Sequence, residues 1–217
     1  MVAVLDEKNW FPDPGRAEAD GLVAVGGDLS PERLLLAYRQ GIFPWSVKPI
    51  TWWSPDPRGL IELDDFHVSR SLAKVIGSGK FELTRDKSFR EVISACAAPG
   101  PKRRDTWISP EFIEAYCRLH ELSHAHSVEC CQDGELVGGI YGVTVGGLFA
   151  AESMFHRADN ASKVALSHLV THLKSSGFVL FDIQMVTPAT RPFGARNISR
   201  HDYLERLSEA VLKSCVF

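Results

Sequence analysis

Three groups of side chains in this chain have the types and spacing to do chemistry. His120-Glu121-Leu122-Ser123-His124 is a literal HExxH string. On a helix it would set two imidazoles on one face as zinc ligands, with Glu121 as the base of a peptidase. Its surroundings oppose that use. The string falls at the end of a helical stretch, Ala125-His126-Ser127 turns straight into a strand, and no extended zinc motif follows. Helix-end histidines bonded to nearby carbonyls are the competing reading. The apolar run Leu180 to Val186 is more informative, because strand period puts Asp182 and Gln184 on one face and Phe181, Ile183 and Met185 on the other. A carboxylate and a carboxamide are costly there unless paired, so they form either a structural network or a site. Glu152, set among Leu148, Phe149, Met154 and Phe155, poses the same choice. Finally, Trp45, Trp52, Trp53 and Trp107 each lie beside a turn or a proline. Such aromatics pack segments together, line an apolar pocket or stack on a nucleobase.

The elements that must position these groups follow from periodicity and punctuation. Ser30-Pro31 opens a helix with an apolar stripe at Leu34, Leu35 and Tyr38, and Gly41 stops it. The stretch before it, from Phe11-Pro12-Asp13-Pro14-Gly15 to Gly26-Gly27-Asp28, reads as turns. Pro55-Asp56-Pro57 makes a rigid connection, so a boundary is expected near residue 60 between a small N-terminal unit (1–60) and a larger one (61–217). Helical periodicity covers 68–76, 88–97, 110–122, 161–176 and 202–212. Residues 126–130, 135–145 and 147–155 read as consecutive antiparallel strands joined at Asp133-Gly134 and Gly146-Gly147, and 178–186 as a further strand. The expected class is α+β with a central mixed sheet.

Composition narrows the chemistry. The chain has 217 residues, 45% hydrophobic and 24% charged, with a net charge of −3, so a protein basic throughout is excluded. The charge is uneven: residues 1–57 carry −3, 58–104 carry +4 and 105–217 carry −4. The positive middle holds Arg58, Arg70, Lys74, Lys80, Arg85, Lys87, Arg90 and Lys102-Arg103-Arg104. A solvated charged face and a phosphate partner both fit it. Five cysteines without CxxC spacing, no apolar leader and no run near the ~18 residues of a membrane span point to a cytoplasmic protein with reduced thiols and no membrane partner. The expected form is a monomer.

A series of strings resembles the leucyl/phenylalanyl-tRNA–protein transferase family. It runs through Gly26-Gly27-Asp28-Leu29-Ser30, Gly41-Ile42-Phe43-Pro44-Trp45, Trp52-Trp53-Ser54-Pro55-Asp56-Pro57-Arg58 and Thr106-Trp107-Ile108. It continues through His124 to Glu129, Leu136 to Gly142, Glu152-Ser153-Met154-Phe155, Ala161-Ser162-Lys163, Asp182-Ile183-Gln184 and Gly194-Ala195. The order is kept over nearly the whole chain, and the HExxH string falls inside the family's own pattern. One stretch departs: after Gln184 the family commonly has a histidine and a serine, where this chain reads Thr187-Pro188-Ala189-Thr190-Arg191-Pro192-Phe193.

The resemblance implies a small N-terminal α/β domain packed on a C-terminal domain of the GCN5-related acetyltransferase type. It implies transfer of Leu or Phe from aminoacyl-tRNA to an N-terminal Arg or Lys, which marks the acceptor protein for degradation. Carried over, it assigns Trp45, Trp107, Ile140, Phe149 and Met154 to the aminoacyl side chain or terminal adenosine, and Glu152, Asp182 and Gln184 to the chemistry. Phe181 and Ile183, flanking Asp182, join the apolar substrate set. Arg70 and Lys74, one helical turn apart, are the first tRNA candidates.

Aminoacyl-tRNA is an activated ester, so neither cofactor nor metal is expected. The attacking α-amine, with a free pKa of ~7.7–8.0, must lose a proton. Asp182 is expected to be its acceptor or electrostatic partner, Gln184 to position the amine, and Glu152 to recognise the basic side chain or brace the site. Two rival readings remain besides a non-catalytic RNA-binding module. One is an acyl-CoA-dependent N-acetyltransferase, which Arg196 disfavours by standing where a pyrophosphate loop needs Gly or Ala; the other is the zinc peptidase.

Overall fold

The computed structural model describes residues 2–99 and 106–217, so the basic cluster Lys102-Arg103-Arg104 lies outside the described residues. Residues before 57 build β1 (Ala3–Leu5), β2 (Leu22–Gly26), α1 (Pro31–Arg39), β3 (Phe43–Val47) and β4 (Ile50–Trp53). The strands form a sheet ordered β1-β2-β4-β3. Helix α1 starts where Ser30 and Pro31 predict, with the Ser30 hydroxyl accepting from the Arg33 amide at 3.4 Å. The stretch expected to be turns thus also contains β2, and all four strands of this sheet are three to five residues long, too short to show a period.

The rest of the chain forms β5 (Arg58–Leu60), α2 (Arg70–Gly77), β6 (Glu82–Arg85), α3 (Phe89–Ala97), α4 (Pro110–Glu121), β7 (Ala125–Gln132), β8 (Glu135–Val145), β9 (Leu148–His156), α5 (Ala161–Ser175), β10 (Leu180–Gln184), β11 (Arg196–Ile198) and α6 (Arg200–Ala210). Its seven-stranded sheet runs β11-β5-β10-β9-β8-β7-β6 and is mixed, with β9 and β10 parallel and their other neighbours antiparallel. The predicted meander is β7–β8–β9. Where β8 crosses β9, Gly142 is required: a Cβ there would lie 2.3 Å from the Ala150 carbonyl oxygen.

Two apolar layers cover this sheet. One combines α5 with Val128, Ile140, Phe149 and Phe181. The other joins α1 and the small sheet to α3 and α4, so Leu34, Tyr38, Phe43 and Trp52 share a core with Phe112, Tyr116 and Tyr141. The small sheet is therefore held on the large one by continuous burial. Trp52 belongs to this packing: it is fully buried, edge-on to Phe11 at 4.8 Å, and its indole donates to the Gly26 carbonyl at 2.9 Å.

Candidate active site

The site forms where two parallel strands part. Pairing between β9 and β10 runs through Leu180↔Leu148, Phe181↔Phe149 and Asp182↔Ala150, the last pair. Beyond it β10 bends: Gln184 takes φ 61, in the left-handed region, and the β5 register shifts between Asp182↔Leu60 and Gln184↔Gly59. Two features hold this strained turn. The Gln184 amide donates to Asp182 Oδ1 at 2.7 Å. Gly59 admits the close approach, since a Cβ on it would lie 2.7 Å from the Met185 carbonyl carbon.

Asp182 is fully buried and saturated. Arg58 grips it as a fork, Nε donating to Oδ1 at 3.0 Å and an Nη to Oδ2 at 2.6 Å, and the Tyr203 hydroxyl donates to Oδ2 at 2.8 Å. Arg58 also donates to the Gly41 carbonyl at 3.0 Å and lies 4.9 Å from the Phe43 ring centre and 4.3 Å from that of Tyr203. Burial, the largest single influence, works to lower the Arg58 pKa, but the Asp182 charge and hydrogen bonds together with the Tyr203 and Glu152 charges outweigh it, and the net shift is upward. Arg58 therefore ties β5, β10, α6 and the start of β3 into one buried ion pair, and it is not part of an exposed basic surface.

Glu152 comes from β9, two residues past the last β9–β10 pair. Its Oε1 accepts from the Gln184 carboxamide at 2.7 Å and from the Tyr38 hydroxyl at 2.8 Å, and its Oε2 from the Tyr116 hydroxyl at 3.3 Å. Tyr38 and Tyr116 are themselves 2.6 Å apart through their hydroxyls. Burial pushes the Glu152 carboxyl up to about 7; the Tyr38 and Gln184 hydrogen bonds pull it down, and the Asp182 charge pushes it further up. Asp182, Gln184 and Glu152 thus meet in one network, with Asp182 sealed below and Glu152 at its upper end.

The apolar candidates divide into two places. Ile140, Phe149, Met154, Phe181 and Ile183 all belong to the layer against α5. Ile140 and Met154 face each other across β8 and β9, and Phe149 meets Phe181 edge-on at 6.0 Å. Phe149 and Phe181 are fully covered, whereas Met154 and Ile183 are half-buried. Trp45 and Trp107 sit apart from them, stacked on each other at 6.1 Å, with Trp107 edge-on to Phe112 at 5.2 Å. Arg70 and Lys74 lie exposed on α2, with no ion pair to either among the described residues.

Helix α4 ends at Glu121 and Ser123 turns back at φ 59, so His120 and His124 do not share a helix face. His120 stacks on Phe89 at 4.4 Å, and its Nδ1 lies 2.8 Å from the Ala125 carbonyl oxygen, as the helix-end reading expects. No group of three or more His, Cys, Asp or Glu among the described residues is placed to hold a metal.

The family model described as leucyl/phenylalanyl-tRNA protein transferase covers residues 60–208, and that of the family's N-terminal domain covers 27–56. The chain belongs to the leucyl/phenylalanyl-tRNA–protein transferase family. It is 53% identical to the enzyme of that name from Pseudomonas putida over 91% of this chain and 89% of that one. Against the Syntrophobacter fumaroxidans enzyme the identity is 52%, over 95% and 90%. A GCN5-related N-acetyltransferase from Kribbella flavida superposes with a TM-score of 0.43 at 10% identity, covering 76% of this chain and 59% of that one.

Within this transferase, sequence reasoning passed over four residues. Tyr38 read as apolar stripe, Tyr116 and Tyr203 only as parts of helices, and Arg58 as one charge in a basic segment. A signal existed for Arg58 alone: it opens the apolar run Gly59-Leu60-Ile61, where an arginine needs a buried partner.

Proposed function

We propose that this transferase moves Leu or Phe from aminoacyl-tRNA to the N-terminal Arg or Lys of acceptor proteins at the Glu152–Gln184 cleft, in the cytoplasm, tagging those proteins for degradation. The observation that carries the assignment is Glu152 itself: a buried carboxyl at about 7, held by three donors where β9 and β10 part. A group with that pKa exchanges a proton with an α-amine of ~7.7–8.0 at little cost, which is what a base at neutral pH requires.

In this reading the amine nitrogen attacks the ester carbonyl, the new C–N bond forms, and the C–O bond to the terminal ribose breaks. The amine proton passes to Glu152, which hands it on to the departing ribose oxygen, so the carboxylate is regenerated. Gln184 orients the amine through its carboxamide, a hydrogen-bonding role, since a carboxamide is too weak a base for more. Asp182 is the electrostatic and positioning partner; with Arg58, Tyr203 and the Gln184 amide on its oxygens, it holds the turn that aims Gln184 at Glu152. Holding both reactants in one cleft supplies a further part of the rate.

Ile140, Met154, Phe181 and Ile183, backed by Phe149, take the aminoacyl side chain, with Met154 adapting to two shapes. Trp45 and Trp107 stack the single-stranded acceptor end. Arg70 and Lys74 meet the tRNA body. The small N-terminal unit (1–60) packs on the larger one (61–217), with β5 passing into the large sheet to bring Arg58. The chain acts as a monomer.

The test is transfer of labelled Leu from Leu-tRNA to peptides that begin with Arg, Lys or Ala. Transfer to the first two and not the third is expected; none to Arg or Lys peptides overturns the reading.

A further inference from the structure

Helix α6 ends at Ala210, and residues 211–217 then run back to α5. This segment is held at two places. The Cys215 thiol donates to the Gly177 carbonyl at 3.2 Å, and Phe217 packs into the apolar layer between the large sheet and α5, while Leu212 and Val216 stay exposed. The Phe217 ring stacks on His126 of β7 at 4.3 Å and on Phe149 of β9 at 5.6 Å, and it meets His172 of α5 edge-on at 4.6 Å. His126 is itself fixed, its Nδ1 lying 2.7 Å from Asp86 Oδ2. Phe217 also lines a cavity of about 380 Å³ together with Leu83, Arg85, Lys87 and His168. Arg85 and Lys87 are exposed, so that cavity opens to solvent, whereas Phe149 is fully buried and takes no part in its lining. The Phe217 ring thus stands between Phe149 and water.

Phe149 has little freedom apart from this contact. Toward β8 it lies against Gly142, where a Cβ would overlap its ring, and Phe181 meets it edge-on at 6.0 Å. Along β9 it lies three residues, about 10 Å, from Glu152. It therefore forms the inner end of the apolar set made by Ile140, Met154, Phe181 and Ile183. An apolar pocket discriminates by where its end wall stands, because an overlong side chain must displace the wall and a short one leaves a void.

We propose that Phe217 sets the depth of the aminoacyl pocket by bracing Phe149 from behind, and so sets the balance between Leu and Phe transfer. The assignment rests on the reading given above, in which that apolar set takes the aminoacyl side chain. Phe217 is a positioning residue: it acts through Phe149 and touches neither substrate nor the reacting atoms. With its ring in place Phe149 has no volume to withdraw into, so the wall is fixed at a depth that suits Leu, and the longer Phe side chain presses on it. With the ring removed, Phe149 tilts into the vacated volume and the pocket lengthens at its inner end.

The test compares kcat/KM of the full chain for Leu-tRNA and Phe-tRNA, with one Arg peptide as acceptor. In Phe217→Ala the ratio of Phe to Leu transfer is expected to rise about ten-fold, with Leu transfer falling because its side chain leaves a void. Phe217→Leu removes less of the ring and should shift the ratio the same way by a smaller factor, which keeps the test open where Phe217→Ala does not fold. An unchanged ratio in Phe217→Ala, or in Phe217→Leu where only that variant folds, overturns the proposal. So does an equal fall for both aminoacyl-tRNAs, which a merely structural role would give. Met154→Ala reads the pocket itself: an unaltered ratio there fails the aminoacyl reading of the apolar set. An altered ratio in Met154→Ala beside an unaltered one in Phe217→Ala fails the role of Phe217 alone.

Discussion

Replacing Glu152 with Gln keeps the shape of the side chain and fixes it in the uncharged form. In the wild-type fold the carboxyl titrates at about 7, against 4.5 for the unperturbed group. A raised carboxyl pKa means that the folded state holds its proton longer than the unfolded state. Its stability contribution is therefore complete below about 4.5 and is lost as pH rises through 7. At 1.36 kcal/mol per unit, the shift amounts to about 3 kcal/mol in all, of which roughly 2.5 kcal/mol falls between pH 5 and 8. Glu152→Gln lacks this titration, while every other group titrates alike in both proteins. The gap between the two stability curves should thus move by roughly 2.5 kcal/mol over that range in favour of the variant, or ~1 M in urea midpoint at a slope near 2 kcal/mol per M. Urea unfolding of both proteins at pH 5, 6, 7 and 8 reads this directly. Transfer kinetics on the same samples should show kcat falling ~10²-fold or more and losing its rise through pH 7. Parallel stability curves would refute the burial argument for Glu152, and an unaltered pH–rate profile would refute its role as base.

Asp182→Asn leaves the Arg58 charge buried without its counter-ion, and denaturant unfolding should record a loss of about 3–5 kcal/mol. Tyr203→Phe removes one hydrogen bond donated to Asp182, and the same measurement should give about 2 kcal/mol. Gly59→Ala drives a methyl group into the backbone at Met185 and Val186; transfer activity should fall more than melting temperature, because the displaced turn is the one that aims Gln184. Arg70→Glu with Lys74→Glu should weaken tRNA binding and reduce its log–log salt slope by about two; filter binding at several salt concentrations with an unchanged slope would remove α2 from the tRNA path.

Much of the scaffold is legible along the chain because it rests on local rules. Ser30-Pro31, the helical stripes and the Asp133-Gly134 turn announce α1 and the meander through caps, periods and turn chemistry, each decided within a few residues. The short strands of the N-terminal unit are not legible, since three to five residues become strands only when partners supply their hydrogen bonds. The pairing of Asp182 with Gln184 on one strand is visible in the period, and the ordered series of strings from Gly26 to Ala195 suffices for the family. Which partner each polar group finds is a different matter. Arg58 meets Asp182 across 124 positions, and Tyr38 meets Glu152 across 114. No local pattern encodes separations of that size; they follow from the order in which β5, β10 and β9 lie in the sheet and from α1 packing over its face. Burial in that assembly makes Asp182 a sealed anchor for Arg58 and raises Glu152 to a pKa suited to exchanging protons with an amine. The residue types are written in the chain, but their roles arise from the dielectric and the neighbours that folding puts around them.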